Sequence, residues 1–179
     1  EVLGALHLTT DTVRIGEARL KMGGLGWVAT SARHRKRGIG RRLIEDSLAY
    51  MREHGYHISM LFGIPNFYHR FGFVSALVDY TVLMEVAEAR TFENPFTAHV
   101  ATPSEIPFIQ RLHNANDSYA VCSLVRSAAH LHNKWGRWNT WRLLKDEHGK
   151  ATAYLYATVE RGCLYVLETG VSDAGVCAA

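Results

Sequence analysis

A basic, glycine-containing turn between an apolar run and an amphipathic helix constrains this chain more than any other feature. Arg35-Lys36-Arg37-Gly38-Ile39-Gly40 has the form Arg-x-x-Gly-x-Gly, with Arg41 and Arg42 directly behind it. Leu25, Trp27, Val28 and Ala29 precede it, and Ile39, Leu43, Ile44, Leu48 and Met51 follow at helical spacing. A strand, a glycine turn and a helix start together make an anion site. The first turn of a helix carries unpaired N–H groups and the positive end of the macrodipole. Glycine lets the backbone approach an anion closely, and such a turn presents several N–H groups at once. The expected ligand bears a pyrophosphate.

The charge distribution agrees with that expectation. The net charge is only +3, and six Lys or Arg side chains fall between Arg33 and Arg42. So local a cluster suits a small anionic ligand better than a long nucleic acid, which needs a larger footprint. A length of 179 residues permits one or two domains. Cys122, Cys163 and Cys177 form no CxxC pair and cannot all be bridged, which reads as free, mostly buried thiols in a reducing, cytoplasmic compartment. No apolar run approaches the roughly 20 residues of a membrane span, and no signal-peptide pattern opens the chain. His34, His54, His57 and His69 share no metal-ligand spacing, so no metal is expected. Glu1 at the start and Ala178-Ala179 at the end read as the limits of a piece of something longer.

Along the chain, residues 2–9 and 12–20 read as a hairpin turning at Thr10-Asp11, broken afterwards by Gly23-Gly24. Residues 25–30 read as a third, short strand, and 38–54 as the helix, stopped by Gly55. A buried strand is expected over 56–62, one helical turn over Phe67–Arg70 closed by Gly72, and a strand over 73–86 centred on Tyr80–Met84. A boundary near residues 91–95 divides the chain into 1–92 and 93–179. Beyond it come a strand at 97–101, a helix at 105–115 capped by Ser104, a second helix at 118–132, and three meander strands at 140–144, 151–159 and 163–171. Ser172-Asp173-Ala174-Gly175 then reads as another helix start. This second half echoes the first as a weak repeat that has lost the basic turn.

Val28-Ala29-Thr30, the Arg35-x-x-Gly38-x-Gly40 turn, the helix, and Phe67-Tyr68-His69-Arg70-Phe71-Gly72-Phe73 together resemble the GNAT acetyltransferase superfamily. The resemblance is closest to its tandem-domain, enhanced-intracellular-survival branch. It covers residues 1–90 well and 95–179 loosely. It implies an α/β (α+β) fold: a mixed, mostly antiparallel sheet flanked by helices and splayed at its centre. It also implies a second, degenerate GNAT-like domain. On this resemblance the first strand and first two helices of the family precede Glu1, and the second domain is cut short.

The same resemblance implies acetyl-CoA as cosubstrate and an amine, small-molecule or peptide, as acceptor. By position, Val28, Ala29 and Thr30 would pair their backbone with the pantetheine arm. Arg35 opens the turn, and Lys36, Arg37, Gly38, Ile39, Gly40 and Arg41 would cradle the pyrophosphate. Gly63 and Ile64 would lie beside the arm, and Tyr68 would act as general acid towards the departing thiolate. No carboxylate stands on 25–30, where many relatives place a base, so the base is unassigned. The tandem branch implies an oligomer, and neither nucleic acid nor membrane is an expected partner.

Three readings compete. An acetyl-CoA-dependent N-acetyltransferase is favoured. A non-catalytic GNAT-like module that binds CoA or a protein is the alternative, and nucleic-acid binding through Arg33–Arg42 is the third. Each marked residue also has a plainer role. The basic turn could be a charged helix start, and Tyr68 a core aromatic. Arg70 and Phe71 read as structural. Trp135, Trp138 and Trp141 read as packing, and Cys122, in apolar surroundings, as an inert thiol.

Overall fold

The structure, a computed structural model, describes residues 1–76, 81–92, 94–117, 120–135 and 140–172. In chain order these form β1 (Gly4–Ile15), β2 (Ala18–Thr30), α1 (Ile39–Glu53), β3 (Ile58–Met60), α2 (Val86–Ala89), β4 (Thr97–Val100), α3 (Ile106–Asp117), β5 (Cys122–Leu124), α4 (Ala128–Lys134), β6 (Thr140–Lys145), β7 (Ala151–Glu160) and β8 (Cys163–Val171). The class is the expected mixed α/β. Two compact units emerge: Glu1–Tyr80 with Val121–Val125, and Thr81–Ala120 with Arg126–Ala179.

The first unit holds a sheet of order β3-β2-β1-β5. β1 runs antiparallel to β2 and to β5, while β3 joins β2 in parallel at Met22–Ile58, Gly23–Ser59 and Gly24–Met60. A parallel neighbour needs a crossover, and α1 supplies it. Ile44 and Met51 of α1 are buried with Leu25 of β2. Leu6, Leu8, Val28, Leu61, Phe67 and Tyr68 pack around them.

Several expectations change here. The hairpin turns at Gly16-Glu17, not at Thr10-Asp11, because Gly16 takes a φ of 57° that a β-branched residue resists. Thr10 and Asp11 lie within β1, opposite Gly23 and Met22. Gly23-Gly24 does not break the strand, so 18–30 is one continuous β2. A Cβ on Gly23 would stand 2.1 Å from the sulfur of Met51 and one on Gly24 2.4 Å from the Thr9 hydroxyl. The glycines are there to admit neighbours, not to end a strand. The strand expected over 56–62 shrinks to three half-buried residues, Ile58–Met60. The one expected over 73–86 is not found among the described residues: 73–76 and 81–85 have no strand partner, Val82 and Leu83 are 86% and 90% exposed, and 77–80 lie outside the description. A strand does not form where no neighbouring edge takes the hydrogen bonds.

The second unit holds an antiparallel sheet of order β4-β6-β7-β8, whose last three strands are the expected meander. α3 presents Ile106, Ile109 and Leu112 to a core of Leu131, Trp141, Leu143 and Tyr154. Its cap is Thr102, not Ser104. The Glu105 side chain accepts from the Thr102 backbone N–H at 2.8 Å, and Thr102 answers in a capping box across the short turn Pro103–Glu105. The helix expected over 118–132 resolves into β5, which pairs with β1, and α4, capped by Ser127. Trp135 stacks on the buried Trp141 with centroids 5.9 Å apart, as packing rather than a surface cluster; Trp138 lies outside the described residues. Cys122 is a half-buried free thiol, but Cys163 is exposed, and Cys177 and the helix start at 173–175 lie outside the description.

A buried polar network ties this unit together. Arg126 donates to the Glu168 carboxylate at 2.6 Å, Tyr154 donates its hydroxyl at 2.6 Å, and His113 Nδ1 stands 3.3 Å away. Burial alone would raise the Glu168 carboxyl. The His113 hydrogen bond, the Arg126 charge and the Tyr154 hydroxyl outweigh it and hold the group at about 2. Burial and that carboxylate together push the Tyr154 hydroxyl above its ordinary range. A depressed carboxyl adds stability that is complete above its unfolded value, near ~4.3, and is lost as pH falls through the folded one. Glu168→Gln is therefore expected to lower unfolding stability by about 3 kcal/mol at neutral pH, with the difference closing as pH falls from ~4 towards ~2. Urea denaturation followed by tryptophan fluorescence across that range checks it. A pH-independent gap would mean that charge is not what the network contributes.

Candidate functional site

β2 and β3 are paired only as far as Gly24–Met60. β2 continues for six residues beyond, from Leu25 to Thr30, still bonded to β1 on one side. On the other side no described strand takes its backbone groups. A bulge sits in this stretch. Ala5 faces Ala29 and His7 faces Gly26, so Leu6 alone opposes Trp27 and Val28. Trp27 takes the left-handed φ of 55° and stands 87% exposed. A bulge bends its strand and raises the local twist, which suits a β2 that parts from β3.

The chain then turns at Ser31, whose N–H donates to the Leu3 carbonyl at 2.8 Å, and passes one 3₁₀ turn at Ala32–His34. Lys36 and Gly38 both have left-handed φ values, 62° and 79°, and Gly38 caps α1. A Cβ on Gly40 would touch the Thr30 hydroxyl oxygen at 3.5 Å, so the helix start lies against the end of β2. Gly4 of β1 makes that approach possible. A Cβ there would meet Ile39 at 2.8 Å, the Ala29 carbonyl at 2.9 Å and Leu43 at 3.0 Å.

The helix start has no acid in its first turn, which leaves its dipole and N–H groups unopposed. Arg35, Lys36, Arg37 and Arg41 are exposed around it. Arg41 donates to Glu45 at 2.8 Å and Arg42 lies 3.6 Å from Asp46, both one turn along the helix. Arg33, Arg35, Lys36 and Arg37 have no acidic partner among the described residues. This is a cation-rich rim around a helix N-terminus, the surroundings a pyrophosphate needs.

On the other lip, Gly63 and Ile64 follow β3 and are exposed, Ile64 at 66%. Gly63 is pressed against Tyr68: its Cβ would sit 2.3 Å from the ring. Tyr68 begins a 3₁₀ turn, Tyr68–Phe71, closed by Gly72 at φ 88°, as the sequence pattern led one to expect. Its ring meets Phe67 edge-on at 4.9 Å and Phe73 at 6.0 Å. Arg70 donates to the Phe67 carbonyl at 2.9 Å and stacks over the Phe67 ring, a structural role.

Val28 and Tyr68 thus pack in one apolar cluster against Leu25 and Ile44. The structure brings the end of β2 against the start of α1, and Val28 and Tyr68 into one cluster beside the opening past the last β2–β3 pair. Ala29 is exposed; Thr30, Ile39 and Gly40 are half-buried. Sequence reasoning missed Gly4 and the bulge at Gly26-Trp27. Gly4 has no motif around it, and no local rule puts a tryptophan at positive φ.

Comparisons with known proteins bear on this geometry. Residues 1–76 match the family model described as an acetyltransferase (GNAT) domain. No curated protein matches the chain. A GCN5-related N-acetyltransferase structure from Kribbella flavida is similar with a TM-score of 0.70 and 19% identity, covering 96% of this chain and 44% of that one. One from Anabaena variabilis gives 0.71 and 15% identity, over 97% and 47%. N-myristoyltransferase from Saccharomyces cerevisiae, solved with myristoyl-CoA, gives 0.63 and 8% identity, over 94% and 48%. At such identities the likeness is one of fold. The chain spans less than half the length of each of these proteins. Among the described residues, no helix is long and apolar enough to cross a membrane.

The turn makes a local prediction. Space is open around a Cβ at Gly38, but its φ is left-handed. Gly38→Val is expected to lower stability by about 1–2 kcal/mol through backbone strain alone. Gly38→Asn should cost less, because Asn tolerates that conformation. Thermal unfolding of the two variants checks it; equal losses would mean that the turn is not held at positive φ.

Proposed function

We propose that this protein transfers an acetyl group from acetyl-CoA to a primary amine, with Tyr68 as general acid. The carrying observation is the opening itself: β2 runs six residues past its last pairing with β3 and ends at a basic helix N-terminus, with Val28 and Tyr68 packed in one apolar cluster. The match of residues 1–76 to a GNAT acetyltransferase domain supports the same chemistry.

The residues fit the cosubstrate. The N–H and C=O groups that the edge Val28–Thr30 turns away from β1 suit an extended, amide-bearing arm, which would take the place of a strand. Gly38, Ile39, Gly40 and the rim of Arg35, Lys36, Arg37 and Arg41 suit the pyrophosphate. Gly63 and Ile64 flank the arm. When bound, the thioester supplies an already activated acyl group, so positioning provides much of the rate. A backbone N–H on the parted strand polarises the carbonyl. Tyr68, half-buried in an aromatic cluster, is held still enough to deliver its hydroxyl proton to the leaving sulfur. The acceptor, a small amine or a peptide, completes the reading, with neither nucleic acid nor membrane as partner. The second unit is proposed as a degenerate relative of the first, and the protein as a cytoplasmic oligomer.

Calorimetric titration with acetyl-CoA, desulfo-CoA and ATP tests this. Micromolar binding of the first two but not ATP is expected. Tyr68→Phe should leave that affinity intact and lower turnover about tenfold or more. Binding without turnover of any amine would favour the non-catalytic module. Absence of binding would overturn the reading.

A further inference from the structure

The two faces of the β1–β2 ribbon are unlike. One face is covered: Gly4, Leu6, Leu8, Gly23, Leu25, Val28 and Thr30 look towards α1 and its cluster. By the pleat, the residues between them, Ala5, His7 and Thr9 of β1 with Gly24, Gly26 and Ala29 of β2, share the other face. A second substrate reaches the opening from that second face, because α1 and its side chains fill the first.

His7 stands on this open face beside the opening. Its strand partner is Gly26, the second residue of β2 past the last pairing with β3. Gly26 has no side chain to hold the imidazole back, and a Cβ on it would meet nothing within 4 Å. The ring is exposed, and no described residue hydrogen-bonds it. From Ala5 to Val13 this face carries one other titratable side chain, Asp11, opposite Met22 where β2 and β3 are still paired. Four residues along a strand is roughly 13 Å, which leaves Asp11 too far down the ribbon to serve the opening. Lys21, on the other face opposite Thr12, is turned to the His54 carbonyl. Tyr68 packs on the α1 side.

We infer that His7 is the general base of the transfer, taking the proton of the acceptor amine on the face of the sheet opposite α1. The inference rests on the proposed acetyl transfer. In the step, the amine nitrogen forms its bond to the acetyl carbon as the carbon–sulfur bond breaks. Before attack the His7 imidazole takes one proton from the ammonium form of the acceptor and frees its lone pair; as the bonds exchange, the Tyr68 hydroxyl gives its proton to sulfur and the second N–H proton leaves to water. Imidazolium and phenolate return to neutrality by exchange with water. Acid and base so stand on opposite faces, which keeps Tyr68 from protonating the incoming amine. Histidine suits the task, as the side chain that is a neutral base at physiological pH.

Three measurements test it. Diethyl pyrocarbonate labelling, mapped by mass spectrometry, should mark His7 readily, and saturating acetyl-CoA should slow that labelling several-fold. His148, 82% exposed in the second unit, should label at an unchanged rate. Calorimetry should give His7→Gln the same acetyl-CoA affinity as the wild type. Steady-state transfer to ethanolamine, an acceptor that is mostly protonated near neutral pH, should fall about 10²–10⁴-fold in His7→Gln. Transfer to hydroxylamine, which is already neutral, should fall far less. Gly26→Val, which fills the space beside the ring, should bind acetyl-CoA and lose transfer to ethanolamine. Bound acetyl-CoA that leaves His7 labelling untouched, or equal losses with both acceptors, would overturn the role of His7 alone. A wild type that binds no acetyl-CoA, or transfers to neither acceptor, would overturn the proposed function and His7 with it.

Discussion

The close seating of α1 on the β1–β2 ribbon is the contact on which the candidate site depends. Two glycines allow it, one near each end of the helix. Gly4 gives way to Ile39 and Leu43 at the start, and Gly23 gives way to Met51 near the end. A methyl group at either position would lift the helix from the sheet or force its side chains off their rotamers. With the helix flat, Thr30 at the end of β2 touches Gly40 in the first turn of α1. The N–H groups of that turn and the open backbone of β2 then lie side by side, so the proposed cosubstrate, extended with an anionic end, would meet both.

The features that read well from the sequence are those with local physical causes. The helix over 39–53 follows from apolar periodicity and from glycines at 38 and 55, both observed at positive φ. The meander follows from alternating strands between polar turns, and the Tyr68–Phe71 turn from its closing glycine. The misreadings share one cause, a tertiary partner invisible to a local rule. Gly23-Gly24 looked like a break because only Met51, 28 positions later, explains Gly23, and only Thr9 on the neighbouring strand explains Gly24. Cys122–Leu124 looked helical because only β1, more than a hundred residues earlier, makes it a strand. Residues 81–85 looked like a strand because their apolar character was read without asking which edge would pair with them. For the candidate site, the basic glycine turn and the helix start behind it were legible because their residues are contiguous. The bulge at Trp27 and the face assignment of His7 were not, since both depend on the register between β1 and β2.

The second unit obeys a different logic. Its sheet is antiparallel throughout, and the contact that ties its elements together is polar. Glu168 on β8 collects Arg126, Tyr154 of β7 and His113 of α3. Gly170 belongs to the same arrangement, since a Cβ there would lie 2.2 Å from the Tyr154 ring that carries the bridging hydroxyl. Asn116 adds a two-way bond to the Val171 backbone, donating at 2.7 Å and accepting at 2.7 Å. A buried carboxylate is tolerable only with such complete satisfaction. Its donors come from distant parts of the chain, so the register of β8 and the seat of α3 are specified together.

An edge such as Leu25–Thr30 of β2 is a hazard in most folds, because unpaired strand groups recruit other strands. Here the hazard and the binding capacity are the same property. Closing β3 against β2 over this stretch would satisfy the backbone and leave nothing for an amide-bearing arm to bind. Leaving it open asks for a device that spoils pairing with a second strand. The bulge does this, since Trp27 at positive φ twists the edge away from the flat geometry a further strand requires. The basic turn at its end adds like-charge repulsion between copies. The proposed cosubstrate, with an extended amide backbone and a pyrophosphate, would overcome both barriers, following the bent strand as a rigid β-strand does not and neutralising the cations as it binds. On the proposed function, selectivity for that ligand over another polypeptide would arise from the strand's irregularity, and repairing the bulge would weaken it.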